Sequence, residues 1–338
     1  MRRVAALDRK DRMLVFLNTA NQKGVYPALV EKDFWVCYIL DYLFNRSSWK
    51  DCFVFKGGTS LSKAFHVIER FSEDIDLILD WKAVIKGGVD PWGERTRNQQ
   101  YKFNKSINEE TERFVEVKLI PEMKRDIGDD LKADFDVYPD EQDMKTINFA
   151  YPRIFDDSYL RPVVRLEIGP LAEWRPHHAQ KIVPYVAEFY GQLFERSYTY
   201  VVTLDAERTF WEKISILHKI ANRNISKPFP RRYARHYYDV YCICHSDIKE
   251  KAFAQYELLE KNILFEKKFY YSGTAGYDTA RIGTIRLLPV VEDMDVVRND
   301  YERMKEMIFG RSPDVDEVME VIAELQDEIN NLASDKKV

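Results

Sequence analysis

Cysteine and long apolar runs are both scarce in this sequence. Four cysteines occur in 338 residues, too few for the disulfide framework typical of small secreted proteins. No run of about 18 apolar residues occurs, so we expect no transmembrane helix. The first stretch, MRRVAALDRKDRM, has basic residues but lacks the apolar segment of a secretory signal. These absences predict a protein of the reducing cytoplasm, and the simplest expectation is a monomer.

A net positive charge is also lacking. The formal net charge is −5, which argues against a generally basic nucleic-acid-binding protein. Positive charge is instead local, because residues 213–237 hold seven Lys or Arg and no Asp or Glu. Acidic residues are concentrated after Pro313. This separation of charge along the chain indicates an anionic substrate bound at one face.

The most informative stretch is FKGGTSLSKAFHVIERFSEDIDLILD, residues 55–80. A short apolar strand is expected to lead into a glycine turn, and a helix is expected over residues 61–69. Residues 73–79 then alternate with a period of two, which predicts a strand with Asp74 and Asp76 on one face. Neighbouring carboxylates repel each other, so this arrangement is unfavourable unless a cation lies beside them.

A metal–nucleotide site accounts for all parts of this stretch. Asp74 and Asp76 would hold two Mg²⁺ (or Mn²⁺) ions that bridge the phosphates of a nucleoside triphosphate. The glycines would let the main chain approach the triphosphate, and the hydroxyl groups after them would donate hydrogen bonds to it. The alternative is a plain strand–turn–helix–strand unit with two exposed aspartates. The residues of the turn are Lys56, Gly57, Gly58, Thr59 and Ser60.

A helix predicted over residues 29–44 begins with the charged triplet Glu31-Lys32-Asp33. Acidic residues are favoured in a first turn, where they face the positive end of the helix dipole. We therefore expect a solvent-exposed first turn.

Two helices of the second half carry charged residues in unusual places. A helix predicted to start at Thr203-Leu204-Asp205 has an apolar stripe with Lys213 at its margin. This ammonium could extend to solvent, or it could reach a triphosphate, whose transfer requires positive charge nearby. Asp239 lies among apolar and aromatic neighbours in RHYYDVYCIC. From the residues alone, we expect Asp239 to form a buried ion pair with Lys213, Arg235 or His236.

A glycine turn with hydroxyl residues, then a helix, then an Asp-x-Asp strand resembles the DNA polymerase β-like nucleotidyltransferase superfamily. More narrowly, KGGTSL followed by RFSEDIDL is similar to the AbiEii/AbiGii toxin family, which includes the mycobacterial MenT toxins. The spacing from Thr59 to Asp74 is longer than in the general superfamily and fits the narrower family, whose motif ends in Arg-x-Ser-x-Asp-x-Asp. The segments ERTFWEKISILHK and RHYYDVY resemble later family motifs. The resemblance extends from Glu31 to about Ile329.

The resemblance implies a toxin that transfers a nucleoside monophosphate from an NTP to the 3′ end of tRNA. It also implies a cognate antitoxin encoded nearby. Lys213 and Asp239 would belong to the catalytic set, with Asp239 as a general base or a metal-linked group. Arg70 and Ser72 join the residues expected at the nucleotide. A triplet similar to Glu31-Lys32-Asp33 occurs in the family, which implies a structural role beside the active site as the alternative to an exposed turn.

A third metal-binding carboxylate is expected beside the Asp-x-Asp strand, as is common in polymerase β-like enzymes. The strand predicted over residues 163–168 places Arg165 and Glu167 on one face. Glu167 is therefore the candidate ligand, and Arg165 is a candidate for binding the phosphates. The alternative is an Arg–Glu pair on a solvent-exposed strand face. Asp134 and Asp136 compete for the role of third carboxylate.

These patterns predict an α/β (α+β) fold with a small mixed sheet. The nucleotidyltransferase core would occupy residues 1–200, and a mainly helical domain, residues 201–338, would close the cleft. Transfer to a protein or a small molecule stays open, as does a non-enzymatic protein that binds an NTP or a partner. The expected catalytic residues are Asp74, Asp76, Lys213 and Asp239.

Overall fold

The structure is a computed structural model that describes residues 1–85, 87, 89–131, 133–157, 160–170 and 176–332. The chain separates into two compact units. Unit 1 consists of Met1–Ala64 and Ser72–Leu204, and unit 2 consists of Phe65–Phe71 and the chain from Asp205 onwards. A short segment of the first half therefore belongs to the unit that the second half builds. The division into domains at residue 200 stays a prediction.

Unit 1 is built on a mixed β-sheet, as predicted. Its strands are β1 (Phe53–Lys56), β2 (Asp74–Leu79), β3 (Asp136–Pro139), β4 (Thr146–Ala150), β5 (Val164–Gly169), β6 (His177–Ile182) and β7 (Thr199–Leu204). Within the described residues they form one sheet in the order β3-β4-β5-β2-β1-β7-β6. Strand β2 runs parallel to β5 and antiparallel to β1, so the strand with the two aspartates lies inside the sheet.

The longer helices of unit 1 begin and end at residues that suit these positions. Asp8 accepts a hydrogen bond from the Asp11 amide at 2.8 Å, and Gly24 ends the same helix with a φ of 71°. Thr96 and Gln99 form a capping box at the start of another helix. The helices of unit 1 are α1 (Arg2–Ala5), α2 (Arg9–Lys23), α3 (Pro27–Asn45), α4 (Gly57–Lys63), α5 (Arg97–Phe114), α6 (Ile120–Asp130) and α7 (Tyr185–Phe189), with a π-helical turn at Val115–Leu119 and 3-10 turns at Lys50–Cys52, Trp81–Ala83 and Gly191–Leu193.

Helix α3 forms the centre of the unit 1 core. All of its residues from Ala28 to Phe44 are buried. The Trp35 ring packs edge-on against Phe149 of β4, and Ile75 of β2 belongs to the same core. Because strand side chains alternate between faces, one face of β2 is turned toward this core. Its two aspartates lie on the other face.

The helix predicted over residues 61–69 is wrong beyond Lys63, where α4 ends. The chain turns at His66, which has a φ of 54°, and the main chain of Arg70 then pairs with Ile308. Helical periodicity in the sequence does not reveal such a long-range main-chain partner. This pairing accounts for the assignment of Phe65–Phe71 to unit 2.

Strands β6 and β7 were not predicted. Strand β6 opens with His177 and His178, which pair with Leu204 and Thr203 of β7. Most residues of β6 are exposed or half-buried, so the strand lacks the apolar alternation by which strands are recognised.

Unit 2 is mainly helical, as predicted. The last helix packs its apolar residues, including Val318, Ile322 and Leu325, against another helix of the same unit. In the described part of the chain, no helix is both long and apolar enough to cross a membrane. The helices of unit 2 are α8 (Ala206–Ala221), α9 (Ala234–Cys244), α10 (Ile248–Ala254), α11 (Glu257–Phe269), α12 (Met294–Met304) and α13 (Val315–Asn331), with 3-10 turns at Val291–Asp293 and Lys305–Met307.

Candidate active site

One face of the sheet carries most of the charged residues predicted for the site. Parallel pairing aligns Asp74 with Arg165 and Asp76 with Glu167 of β5. Antiparallel pairing aligns Asp76 with Lys56 of β1. Residues that face each other across paired strands project to the same side of a sheet. We call Lys56, Asp74, Asp76, Arg165 and Glu167 the polar face.

The glycine turn after β1 lies directly against Asp76. Gly57 has a φ of 83°, in the left-handed region that favours glycine. A Cβ atom added to Gly57 would lie 2.0 Å from Asp76 Oδ2 and 2.7 Å from its Cγ. The main-chain conformation and the close approach of the carboxylate therefore both require glycine here. The glycine turn and the Asp-x-Asp strand are therefore packed directly against each other.

Asp74 has a carboxylate oxygen that no group among the described residues satisfies. Its Oδ1 is buried and has no hydrogen-bond partner among the described residues. Its main-chain oxygen, in contrast, accepts a hydrogen bond from Thr59 Oγ1 at 2.5 Å. A buried acceptor without a donor is unfavourable and calls for an ion or a water at that position. The backbone of Asp74 is thus fixed while its side chain is left for a ligand.

This donor set fits Mg²⁺ or Mn²⁺. Mg²⁺ is commonly held by one or two carboxylates, with substrate phosphates and water completing its coordination, and Asp74 and Asp76 supply such a pair. Across the described ranges, no group of three His, Cys, Asp or Glu side chains is placed to hold a metal by itself. A nucleotide would therefore supply further ligands. The role of Glu167 as a metal ligand stays a prediction.

Two hydrogen bonds hold Arg165 in place, and one of its nitrogen atoms has no partner among the described residues. Its Nη1 donates to Asp140 Oδ2 at 2.9 Å, and its Nη2 donates to Glu167 Oε1 at 3.4 Å. Asp140 also accepts a hydrogen bond from Asn148 Nδ2 at 3.3 Å. The Nε of Arg165 is buried and has no hydrogen-bond partner in the described part of the chain. A guanidinium fixed in this way suits the binding of an anionic group.

The other residues predicted at the nucleotide differ in exposure. Thr59 and Ser60 are buried, and both hydroxyls donate to main-chain oxygens of the same motif, at 2.5 and 2.8 Å. These hydroxyls therefore stabilise the turn. Lys56, Gly58 and Ser72 are half-buried. Nucleotide binding by these residues stays a prediction.

Unit 2 contains a buried ion network around Asp239. Arg70 donates to both Asp239 carboxylate oxygens, from Nε at 2.6 Å and from Nη2 at 2.8 Å. Lys213 Nζ donates to Asp239 Oδ2 at 2.7 Å. Asp239 is 0% exposed. The expected ion pair with Lys213 is confirmed, and Arg70 is a second partner that local sequence patterns do not reveal.

This network changes the basicity of Asp239. Burial alone would raise the pKa of Asp239, but the charges of Arg70 and Lys213 outweigh burial and hold the pKa well below its usual range. A carboxylate of low basicity is a weak general base, so the arrangement suits a residue that holds two cations. A general-base role for Asp239 stays a prediction, as does a cleft that unites Lys213 and Asp239 with Asp74 and Asp76.

The triplet Glu31-Lys32-Asp33 is buried, so the expected solvent-exposed turn is wrong. The three residues are 0%, 0% and 1% exposed. Because α3 is covered on all sides, each charge in its first turn must find a partner inside the protein. Burial raises the pKa of Glu31 to about 7, although hydrogen bonds from the Phe155 and Ile154 amides oppose this.

Comparison with known proteins identifies the family. A family model described as "Nucleotidyl transferase AbiEii toxin, Type IV TA system" matches residues 38–321. Among solved structures, MenT4, a nucleotidyltransferase toxin from Mycobacterium tuberculosis H37Rv, is 15% identical at a TM-score of 0.44, covering 97% of this chain and 99% of that chain. JHP933 from Helicobacter pylori is 11% identical at a TM-score of 0.41, covering 91% and 94%. No curated protein matches.

The family match includes both regions described above. Residues 38–321 span the polar face of unit 1 and the Asp239 network of unit 2. This range is well over half of the chain, and the protein therefore belongs to the AbiEii nucleotidyl transferase toxin family of type IV toxin–antitoxin systems.

Proposed function

We propose that this protein is a metal-dependent nucleotidyltransferase that adds a nucleoside monophosphate from an NTP to the 3′ end of tRNA. The observation that carries the proposal is the pair Asp74 and Asp76 on the polar face, with Gly57 packed against Asp76. Family membership supports nucleotidyltransferase activity. The metal and the tRNA acceptor are our proposals.

In the proposed reaction, the 3′-hydroxyl oxygen of the acceptor forms a bond to the α-phosphorus of the NTP. The bond between that phosphorus and the pyrophosphate breaks, and the hydroxyl proton passes to a carboxylate of the polar face. Bound Mg²⁺ or Mn²⁺ would offset the negative charge of the phosphates. Asp74 and Asp76 would hold the metal, and the turn at Gly57 and Gly58 would let the main chain approach the triphosphate. Arg165 binds a phosphate oxygen through its unused donor.

For Lys213 we propose stabilisation of the negative charge that develops on the phosphates. Asp239 holds the Lys213 ammonium in place at 2.7 Å. The basic segment 213–237 suits an RNA acceptor, because contacts with phosphates supply much of the affinity for nucleic acids.

We further propose that the modified tRNA 3′ end blocks translation and bacterial growth in the cytoplasm, as part of a toxin–antitoxin or phage-defence system. The family implies a cognate antitoxin, which we expect to be encoded nearby. The antitoxin does not need to bind this protein directly for a type IV system to operate.

The test is incubation of the protein with each α-labelled NTP, Mg²⁺ and total bacterial tRNA. We expect label at the mobility of tRNA, and we expect Asp76→Ala or a chelator to abolish it. Asp156→Ala is the control, because the Asp156 side chain is 91% exposed and does not belong to the polar face. This variant should keep wild-type activity.

Two outcomes would overturn the proposal. Label on protein alone would assign the enzyme a protein acceptor. A complete lack of transfer to RNA or protein, together with full toxicity of Asp74→Ala in cells, would assign the chain a non-enzymatic binding function.

A further inference from the structure

We infer that Lys32 and Asp33 of α3 are positioning residues that fix the metal-binding end of β2, an inference that rests on the proposed function. Neither residue is assigned a contact with the nucleotide. Each holds a different segment of unit 1, and the two segments meet at Asp74.

The first contact fixes the residue directly before Asp74. Lys32 Nζ donates to Glu73 Oε2 at 2.6 Å, and both side chains are buried. The same pair holds the main chain of Arg161, because Lys32 Nζ donates to its carbonyl oxygen at 2.8 Å and Glu73 Oε2 accepts from its amide at 3.1 Å. A buried charged pair with further hydrogen bonds to the main chain allows little movement of Glu73.

The second contact fixes the helix behind the glycine turn. Lys63, the last residue of α4, donates to Asp33 Oδ1 at 2.6 Å. Asp33 Oδ2 also accepts a hydrogen bond from the Tyr185 amide at 2.7 Å. One helical turn before Lys63, Thr59 Oγ1 donates to the main-chain oxygen of Asp74 at 2.5 Å. Helix α4 is therefore tied to α3 at one end and to Asp74 at the other.

Together these contacts close a ring, which we call the α3 ring. Lys32 and Asp33 are neighbours in sequence, Glu73 and Asp74 are neighbours in sequence, and one turn of α4 links the remaining two members. The ring uses only the main chain of Asp74. The carboxylate oxygen Oδ1 stays buried without a hydrogen-bond partner among the described residues. The ring thus fixes the backbone of Asp74 and leaves its side chain for a cation. The members of the α3 ring are Lys32, Asp33, Thr59, Lys63, Glu73 and Asp74.

If the buried ion pair of Lys32 and Glu73 had a purely structural role, we would expect a different result. Removal of one partner leaves an uncompensated buried charge and destabilises a protein strongly, whereas removal of both charges is far less harmful. If the pair served stability alone, metal affinity would recover together with stability in a double variant. If the pair positions Asp74, stability should recover and metal affinity should not.

The experiment measures Mn²⁺ binding by the full chain, from the electron paramagnetic resonance signal of free Mn²⁺, beside urea unfolding. We expect Lys32→Met to lower the unfolding midpoint, and we expect Lys32→Met/Glu73→Gln to restore most of it. The double variant should still bind Mn²⁺ about 10–100-fold more weakly than wild type, the usual effect of losing a group that orients a metal ligand.

A second pair of variants avoids buried charges altogether. Thr59→Val removes the hydroxyl that holds the Asp74 main chain, and we expect about 10-fold weaker Mn²⁺ binding. Thr59→Ser keeps the hydroxyl and should retain wild-type affinity. These variants test the ring even if the ion-pair variants do not fold.

Two controls separate the possible failures. Asp130→Asn disturbs another buried network of unit 1, in which Asp130 accepts hydrogen bonds from Tyr38 and Arg2, and it should lower stability without changing Mn²⁺ affinity. If Asp76→Ala abolishes Mn²⁺ binding while Lys32→Met/Glu73→Gln and Thr59→Val both bind like wild type, the positioning inference alone is overturned. If Asp76→Ala binds Mn²⁺ like wild type, the proposed metal site fails and the inference fails with it.

Discussion

Unit 1 and unit 2 both contain aspartates predicted to be catalytic, but they surround them in opposite ways. In unit 2, both carboxylate oxygens of Asp239 accept hydrogen bonds from the cations of Arg70 and Lys213. In unit 1, Asp74 has a buried Oδ1 without a hydrogen-bond partner among the described residues. The Asp74 backbone is held by Thr59 instead.

This difference separates two tasks that a carboxylate can perform. A carboxylate neutralised by two buried cations has low basicity and holds separate elements together. A carboxylate with a fixed backbone and an unsatisfied oxygen is prepared for a ligand that the chain itself does not supply. The following variants test this comparison.

The largest expected effect is the loss of stability in Asp239→Asn. This change leaves Arg70 and Lys213 buried without a negative partner, so we expect unit 2 to lose about 3–5 kcal/mol of its free energy of unfolding. Urea unfolding followed by far-ultraviolet circular dichroism measures this loss. Asp247→Asn, at an exposed ion pair of the same unit, should change it by less than about 0.5 kcal/mol.

The effect of Asp239→Asn should also depend on pH. Because the folded protein holds the pKa of Asp239 below its usual range, its stabilisation is present above the unfolded pKa of about 3.9 and is lost as the pH falls further. The stability difference between wild type and variant should therefore narrow in acid. A difference below about 1 kcal/mol at neutral pH would show that Asp239 is not the structural centre of the network.

Asp74→Asn should strongly reduce nucleotidyl transfer but hardly change stability, in contrast to the large loss of stability expected for Asp239→Asn. We expect nucleotidyl transfer to fall by about 10²–10³-fold, as for the loss of one group that stabilises charge in a transition state. Stability should be unchanged or slightly higher, because one of two neighbouring negative charges is removed. Transfer of labelled NTP and urea unfolding measure the two quantities. A loss of stability as large as that of Asp239→Asn would remove the distinction between the units.

Gly57→Ala tests the packing of the glycine turn against Asp76. We expect about 1–3 kcal/mol of destabilisation from the left-handed main chain and the overlap with Asp76, together with weaker Mn²⁺ binding. Gly24→Ala is the matched control, because Gly24 also has a positive φ but has no atom within 4 Å of an added Cβ. Gly24→Ala should cost about 1 kcal/mol and should leave Mn²⁺ affinity unchanged. Equal Mn²⁺ affinity in both variants would contradict the packing argument.

Glu31 differs from both Asp239 and Asp74. Its carboxylate accepts hydrogen bonds from the Ile154 and Phe155 amides but forms no ion pair in the described part of the chain. Burial raises its pKa to about 7, so stability should fall as the pH rises from the unfolded pKa of about 4.3 towards 7. We expect Glu31→Gln to be about 3–4 kcal/mol more stable than wild type at pH 8 and about equal near pH 4. Urea unfolding at both pH values measures this, and a difference independent of pH would contradict the raised pKa.

Local patterns in the sequence predict the centre of the sheet but not the edge formed by β7 and β6. Strands β1, β2 and β5 have buried apolar residues at regular positions, and all three were predicted. Strand β6 has mostly polar, accessible residues, and its pairing with β7 depends on partners that no local pattern contains. The early end of α4 has the same cause, since the chain after Lys63 pairs with a segment more than two hundred residues later.

In the candidate site, too, local spacing predicts some residues but not the partners that they contact. Asp74, Asp76 and the glycine turn lie within one motif, where spacing alone places both carboxylates on one strand face. The partners of these residues lie elsewhere in the chain. Lys32 and Glu73 are 41 positions apart, and each looks like an ordinary surface charge in the sequence.

The sequence by itself determined the family, the mixed α/β fold and the pair of aspartates, because these depend on short-range spacing and on alternation of apolar residues. Only the tertiary structure decided which charged residues are buried and which group each contacts. Burial depends on the elements that surround a residue, and α3 is surrounded on all sides. Three charges that local rules assign to solvent are therefore interior, and two of them join the ring that holds Asp74.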